Sequence, residues 1–266
     1  MKLGVWVREI YDTRDLVGEV LDSKGNPRWS EWEGRFDQED LNALEMALKW
    51  KDRDPSVEVT GLSVGHARKL DVLRECLYRG VDGVMRILPP EEVRGLLTEA
   101  KWVALASKKL ELDVLFTGVQ INELECGMKG VFLAKELGWP FVTYVEEMEC
   151  LDGKILRVKR ALEDGSEIIE VEVPVVLCVG IALLKDDPRA PRSARARLKL
   201  QHKKTPIPEW KGEGMEGGLE GFREKVTPRI YSLQPQRTFP SRRIDGSKES
   251  EIEGMLGELR SMGLVR

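Results

Sequence analysis

The chain has 266 residues, room for one or two domains of ordinary size. Its formal charge is −4, from 42 basic and 46 acidic residues, with 33% of positions charged, which argues against a whole-domain nucleic-acid binder and leaves room for a local basic patch. No apolar run reaches the roughly 18 residues of a membrane span, the opening MKLGVWVREI has neither a signal h-region nor a transit-peptide pattern, and Cys76, Cys126, Cys150 and Cys178 are scattered without a CxxC pair. A cytoplasmic globular protein is expected, with no membrane insertion, disulfide framework or metal site.

The first 140 residues alternate short apolar runs with amphipathic ones. Strands are predicted at Lys2–Val7, Glu58–Val64, Val81–Ile87, Val114–Gly118 and Phe141–Val145, several apolar at consecutive positions, as in strands covered on both faces. Helices are predicted between them. In Asp37–Lys51, Leu41, Leu44 and Leu48 recur at helical spacing behind an acidic start, Asp37 with Asp40. In His66–Arg79, Leu70, Leu73 and Leu77 form one stripe, and Gly80 is placed to end the helix. Glu91–Lys108 and Asn122–Leu137 continue the pattern. Such alternation means right-handed crossovers and a parallel sheet. Two Asp-Gly turns, Asp152-Gly153 and Asp164-Gly165, then separate the alternating segments Lys154–Lys159 and Glu167–Val173, predicting an antiparallel β-meander that ends in the apolar run Val175–Ile181.

From Lys185 the composition no longer looks like core. Lys185–Lys204 carries eight basic residues against Asp186 and Asp187, Gly212–Gly221 holds five glycines, and Gln234–Arg243 is rich in Pro, Gln and Arg. An amphipathic helix is predicted at Lys248–Met262, with Ile252, Met255, Leu256 and Leu259 on one face. A poorly buried tail ending in such a helix reads as an arm that embraces a partner, or as a tail folded back on its own domain.

Ligands of doubly wound sheets sit beyond the carboxyl ends of the strands. Three loops there are chemically marked: Val7–Thr13, Val64-Gly65-His66 and Thr117–Gly130. In the third, Gly118, Gly127 and Gly130 permit close backbone approach, and a helix starting near Asn122 would aim free N–H groups at an anion. Glu123 and Glu125 would repel phosphate unless a cation or hydroxyl intervened, yet they also suit a helix start. The spacing is neither GxGxxG nor GxxxxGKS, so both a nucleotide site and an ordinary capped loop remain open. The two histidines, His66 and His202, form no nucleophile–base set, and Glu146 with Glu147 reads as a solvated strand end. No enzyme is expected. The basic stretch Arg192–Leu200 suits phosphate or an acidic protein surface; it lacks stacking aromatics, so nucleic acid is not the expected partner.

At Val158–Ile169 followed by Pro174-Val175-Val176-Leu177-Cys178, the chain resembles the signature of the electron-transfer flavoprotein β subunit: a basic residue, an acidic-Gly turn, a Glu and a Pro before a buried strand. The likeness covers nearly the whole chain. Val7–Thr13 resembles the opening VKxVPDT. Asp37–Glu45 resembles NPFDxxALEEA with Asn, Pro and Phe replaced, and Leu73–Asp82 resembles LREALAMGAD. Gly118–Gly130 is similar to GRQAIDGDTGQVG without a gap: Gln120 and Gly130 are kept, Glu123 and Glu125 stand for Asp, Cys126 for Thr and Val119 for the basic residue. Pro188-Arg189 opens a segment like the partner-recognition loop, with Arg192 and Ser193 where the family tends to carry a leucine anchor, and Gln236-Arg237-Thr238 resembles the PQR-T element.

The resemblance implies a Rossmann-like (adenine nucleotide alpha hydrolase-like) parallel sheet with helices on both faces, an added antiparallel β-meander, and a C-terminal arm with a terminal helix. It divides the chain into an α/β nucleotide-binding domain (1–183), an extended partner-recognition arm (184–246) and a C-terminal helix (247–266). It further implies a heterodimer with an α subunit that holds most of the FAD, AMP or a second FAD in the β subunit, and a redox partner dehydrogenase docked on the basic arm around Pro188–Lys204. A second FAD is the case of the electron-bifurcating members, and electrons pass on to a downstream acceptor. Carried over by position, the nucleotide would touch Trp6, Val7, Asp12, Thr13, Asp37, Gln38, Glu39, Asp40 and Val64. It would also touch the loop Gln120, Ile121, Asn122, Glu123, Leu124, Glu125, Cys126, Gly127, Met128, Lys129, Gly130, Val131 and Phe132. The β protein would catalyse no bond chemistry; it would bury and position a cofactor whose redox chemistry is intrinsic. The alternative is a free-standing adenine-nucleotide-binding α/β module without a redox role. An ATP pyrophosphatase would want an SGGxDS-type loop, and Val7–Thr13 has no glycine. RNA binding by the arm would be steeply salt-dependent.

Overall fold

The computed structural model describes residues 1–14, 20–23, 28, 31–67, 69–89, 95–119, 127–182, 186–187, 189–212 and 244–265. Along the chain run β1 (Lys2–Trp6), β2 (Glu9–Tyr11), β3 (Gly34–Phe36), α1 (Gln38–Arg53), β4 (Glu58–Val64), α2 (Val72–Arg79), β5 (Gly83–Ile87), α3 (Leu96–Leu110) and β6 (Val114–Gly118). Then come α4 (Lys129–Leu137), β7 (Phe141–Cys150), β8 (Ile155–Leu162), β9 (Gly165–Glu172), β10 (Val175–Val179), α5 (Ala196–His202), β11 (Glu209–Trp210) and α6 (Glu249–Ser261). Two compact units result: Met1–Asp22 with Pro27–Pro228, and Ser23–Asn26 with Arg229–Arg266. In the second, α6 keeps Ile252, Met255, Leu256 and Leu259 half-buried, in the predicted stripe.

The first unit is built on one nine-stranded sheet in the order β11-β5-β4-β1-β6-β10-β7-β8-β9. Pairing is parallel from β11 to β7 and antiparallel through β7-β8-β9. Side chains alternate between the faces. Val5 and Val7 pack with Leu44 and Leu48 of α1 and Leu73 and Leu77 of α2, whereas Trp6 and Leu62 pack with Trp102 and Val103 of α3 and Leu133 of α4. Helices on both faces, and the meander, are as expected. The apolar run after the meander does not continue it: β10 inserts in parallel between β6 and β7. All five of its residues are buried, which suits an interior position better than an edge.

Helix starts differ from the predicted ones where a cap intervenes. The second helix begins at Val72, not near His66, because the Asp71 carboxylate accepts the Arg74 N–H and pairs with Arg86. Its end is as expected: Gly80 turns left-handed at φ 113° and donates its N–H to Cys76 and Leu77 carbonyls. The fourth described helix starts at Lys129; Gln120–Cys126, which includes the predicted start at Asn122, lies outside the described residues. Three short strands were not predicted: β11, and β2 with β3, which pair as an antiparallel ribbon between the first marked loop and the residues just before α1.

The tail from Lys185 is as poorly buried as expected over residues 189–212, where Trp210 alone is buried, yet these residues do not stand free: they lie on the α/β unit. Asn42 donates to the Arg189 carbonyl (2.8 Å), and Arg192 pairs with Glu45 (2.8 Å) and Asp52 (2.7 Å), all from one side of α1. Arg74 of α2 donates to three carbonyls, of His202, Lys203 and Thr205. β11 then joins the sheet edge, where the Arg86 and Leu88 N–H groups donate to Pro208 and Trp210, and Trp210 meets Trp102 edge to face at 5.9 Å. These polar anchors sit on α1, α2 and β5, far away in sequence, so composition alone does not reveal them.

Candidate functional site

The chain passes from β1 to β4 and β5 on one side and returns through α3 to β6 on the other side of β1. The connection reverses direction between β1 and β6, the position at which open α/β sheets place a ligand crevice. The end of β1, the first turn of α1 and the start of α4 converge there.

Asp37 caps α1, its carboxylate accepting the Glu39 N–H. One turn on, Asp40 points inward, and its Oδ1 accepts both the Gly118 N–H (3.1 Å) and the Lys129 ammonium (2.5 Å). Lys129 also donates to the Trp6 carbonyl (3.0 Å) and sits 4.8 Å from the Trp6 ring centroid. Both charges are fully enclosed, at 1% and 0% side-chain exposure, so one buried ion pair ties α1, β1, β6 and α4 together. Gly118 makes this possible. A Cβ there would lie 2.6 Å from Glu39 Cβ and 3.0 Å from the Glu39 carbonyl carbon, so only glycine lets α1 cross β6 this closely.

Burial pushes the Asp40 carboxyl up to about 6; the Lys129 charge works against the rise and Asp37 adds to it. Asp40 Oδ2 and Trp6 Nε1 are buried and find no hydrogen-bond partner among the described residues. Burial also holds the Cys178 thiol at about 12, neutral and inert.

A cavity of about 230 Å³ lies on the β4 side, lined by Arg8, Ser63, Val64, Gly65, Arg86 and Glu99 among others. Its cations are matched: Arg8 lies 3.4 Å from Glu99, and Arg86 reaches Asp71 (2.7 Å) and the Gly65 carbonyl (3.2 Å). The cavity therefore presents guanidinium N–H and hydroxyl donors without net positive charge. At the other flank no side chain caps α4 among the described residues. The two guanidinium groups of the cavity suit a phosphate-bearing ligand.

Among the residues carried over by resemblance, Trp6, Asp40 and Lys129 are in contact, and Asp37 and Glu39 frame them. Val7 donates its N–H to Leu62 at the strand end, and Val64 lines the cavity. Gln38 opens α1. Gly127 and Met128 are exposed before α4; Gly130 packs on Cys178 so tightly that a methyl group would overlap the sulfur; Val131 and Phe132 are half-buried. Asp12 and Thr13 stand apart, beyond β2. Asp12 is engaged there by Arg14 and Arg35, and the Arg14 hydrogen bond holds its carboxyl at about 2. Gln120, Ile121, Asn122, Glu123, Leu124, Glu125 and Cys126 lie outside the described residues.

The part played by the Lys129 side chain, and the cavity around Arg8, Arg86 and Glu99, were not read from the sequence. For Lys129 one signal existed: the pattern GRQAIDGDTGQVG places valine where this chain has lysine. A charge in a slot otherwise filled by an aliphatic side chain needs a buried partner. For the cavity the signal was partial: Arg8, Gly65 and His66 belong to two of the marked loops, whereas Arg86 comes from β5 and Glu99 from α3, far apart in sequence.

Sheet order, two helical layers and a switch point between β1 and β6 define a Rossmann-like, doubly wound α/β protein extended by a meander. Residues 30–211 match the family described as the electron transfer flavoprotein domain. The chain is 31% identical over 270 residues, covering 96% of both sequences, to the caffeyl-CoA reductase–Etf complex subunit CarD of Acetobacterium woodii. It is 34% identical over 256 residues to the electron transfer flavoprotein subunit beta of Megasphaera elsdenii, covering 90% of this chain and 89% of that one. With the subunit beta of Clostridium acetobutylicum it shares 38% identity over 183 residues, covering 66% and 67%. The chain belongs to the electron transfer flavoprotein family, as a divergent member on its β-subunit side. No helix among the described residues is long and apolar enough to cross a membrane.

Proposed function

We propose that this chain is the β subunit of a heterodimeric electron transfer flavoprotein. In this reading it shelters an adenine nucleotide, AMP or a second FAD, in the crevice between β1 and β6, and it clasps an α subunit that holds most of the shared FAD. Electrons then pass from a dehydrogenase to a downstream acceptor. Flavin, when bound, supplies the one- and two-electron chemistry. The chain's own residues position and exclude water: Asp40 and Lys129 lock the walls from within, and Arg8 and Arg86 offer guanidinium N–H groups.

The carrying observation is the fully buried Asp40–Lys129 pair at the switch point of a chain from this family. Such a pair is a poor source of stability but a good way to preset walls that a ligand must meet. The test is co-expression with the α subunit, heat release of bound ligands and their chromatographic identification. An adenine nucleotide in stoichiometric amount with a yellow complex is expected; one FAD with one AMP, or two FAD, distinguishes the two forms. A colourless chain that releases no adenine species beside its α subunit overturns the proposal.

A further inference from the structure

A second cavity, of about 440 Å³, lies away from the β1–β6 switch point, where α1, the second half of β7, the Gly153 turn and the Arg189 segment meet. Its α1 residues run from Met46 to Asp54, in the last turns of that helix. Asp40 stands in the first turn, so at 1.5 Å per residue Arg53 is about 20 Å along the helix from it. The volume is in the range that small organic ligands fill. The floor is apolar and rich in sulfur. Met46 and Trp50, one turn apart on α1, are buried, and Met148 and Cys150, alternate residues of β7, pack against the same core. Thioethers adapt their shape to a flat ring and attract its edge, and an indole adds an offset or edge-to-face contact.

Seven charged side chains stand around this floor, and six are answered from within the chain. Glu146 and Glu147 pair with Lys159 (3.6 and 2.9 Å), and Glu149 with Arg157 (3.8 Å). Arg189 is bidentate on Asp187, which also lies in the field of Lys49. Asp54 accepts the N–H and the hydroxyl of Ser56, and the N-terminal ammonium adds its field. Arg53 alone has neither hydrogen bond nor ion pair among the described residues. A lone exposed arginine is ordinary on a surface. At the rim of an apolar cavity whose other charges are all matched, it gives the cavity a polarity: a ring below, one negative charge above.

We infer that this cavity binds an aryl carboxylate, its ring on Met46, Trp50 and Met148 and its carboxylate on the Arg53 guanidinium. The planar fork of arginine suits a carboxylate, which it can meet with two parallel N–H bonds. A phosphate ester is the poorer fit: Asp54 and the glutamates of β7 border the cavity, and a single unmatched cation is left to meet a dianion. An aliphatic acid would forgo the sulfur–arene and indole contacts. The site draws on none of the residues assigned to the nucleotide, so it stands whether or not the chain carries electrons.

The test is isothermal titration of the full chain with 2-naphthoate, which is expected to fill one site with a Kd below about 1 mM. The bound ring should shift the isotope-labelled methyl signals of Met46 and Met148 and leave that of the exposed Met262 in place. Arg53→Ala is expected to weaken 2-naphthoate about fivefold and to leave the uncharged 2-naphthamide as it was. Met148→Ala should weaken both ligands about fivefold. Arg197→Ala, on the exposed face of α5, serves as control and should match the parent. No heat and no methyl shift at about 5 mM 2-naphthoate overturn the site. So does a Kd that both Arg53→Ala and Met148→Ala leave within about twofold of the parent. Binding of 2-naphthamide as tight as that of 2-naphthoate overturns the assigned charge, and equally tight binding of cyclohexanecarboxylate overturns the assigned ring.

Discussion

Lys129→Met keeps the apolar stem of the side chain and deletes its ammonium. Asp40 is then left buried, with Oδ1 held by the Gly118 N–H alone and Oδ2 still without a partner. Removing one member of a buried ion pair costs about 3–5 kcal/mol. The low end applies, because a carboxyl already raised to about 6 can escape by taking up a proton; the expected loss at pH 7 is about 3 kcal/mol. At pH 5 Asp40 is mostly protonated even in the parent, and the loss should shrink to about 1 kcal/mol, the worth of the neutral hydrogen bonds. The double variant Asp40→Asn/Lys129→Met keeps an acceptor for Gly118 and buries no charge, so at pH 7 it should return to the parent's stability or exceed it. It is also a non-titrating reference. The folded pKa of Asp40 stands above its ordinary 3.8, so its stabilising contribution is full below that value and is lost as pH rises through 6. Parent minus double variant should therefore fall by about 2 kcal/mol between pH 4 and pH 7. Urea unfolding followed by tryptophan fluorescence, with Trp6 beside the substitution, measures all of this. A Lys129→Met protein within about 1 kcal/mol of the parent at pH 7, or a double variant as unstable as the single one, would refute the reasoning.

Other substitutions probe the rest of the frame. Gly118→Ala forces a methyl against the α1 backbone and should cost about 1–3 kcal/mol, read as a fall of about 2–4 °C in Tm per kcal/mol. Gly83→Ala, where the nearest atom is 3.6 Å away, should fall within about 0.5 kcal/mol of the parent. Arg192→Ala strands the Glu45 carboxylate, only 4% exposed, and should lose about 3 kcal/mol and quicken tryptic cleavage at Arg195 and Arg197; an unchanged cleavage rate would show that the arm is not held by this pair. Trp210→Ala removes the edge-to-face contact with Trp102 and should cost about 3 kcal/mol. The Arg86 and Leu88 amides, which donate to Pro208 and Trp210, should then lose hydrogen-exchange protection.

The alternation of apolar strands and amphipathic helices, the Asp-Gly hairpins, the Asp37 cap and the Gly80 stop were all legible in the chain, because each depends on neighbours a few residues apart. The family was legible too, from typed residues at fixed spacing. What tertiary structure alone decided are the long-range pairings. Nothing in the sequence near Asp40 indicates that its charge is met by Lys129, 89 positions away. Nor does the basic composition of residues 189–212 reveal that Arg192 turns inward to Glu45 while Leu200 turns out to solvent. Nor does an apolar run say whether it will extend a meander or, as β10 does, slip between two parallel strands. A cap or a turn is a local balance of hydrogen bonds and sterics. A buried charge can be placed only once the topology has brought its counter-charge within reach and removed the water between them.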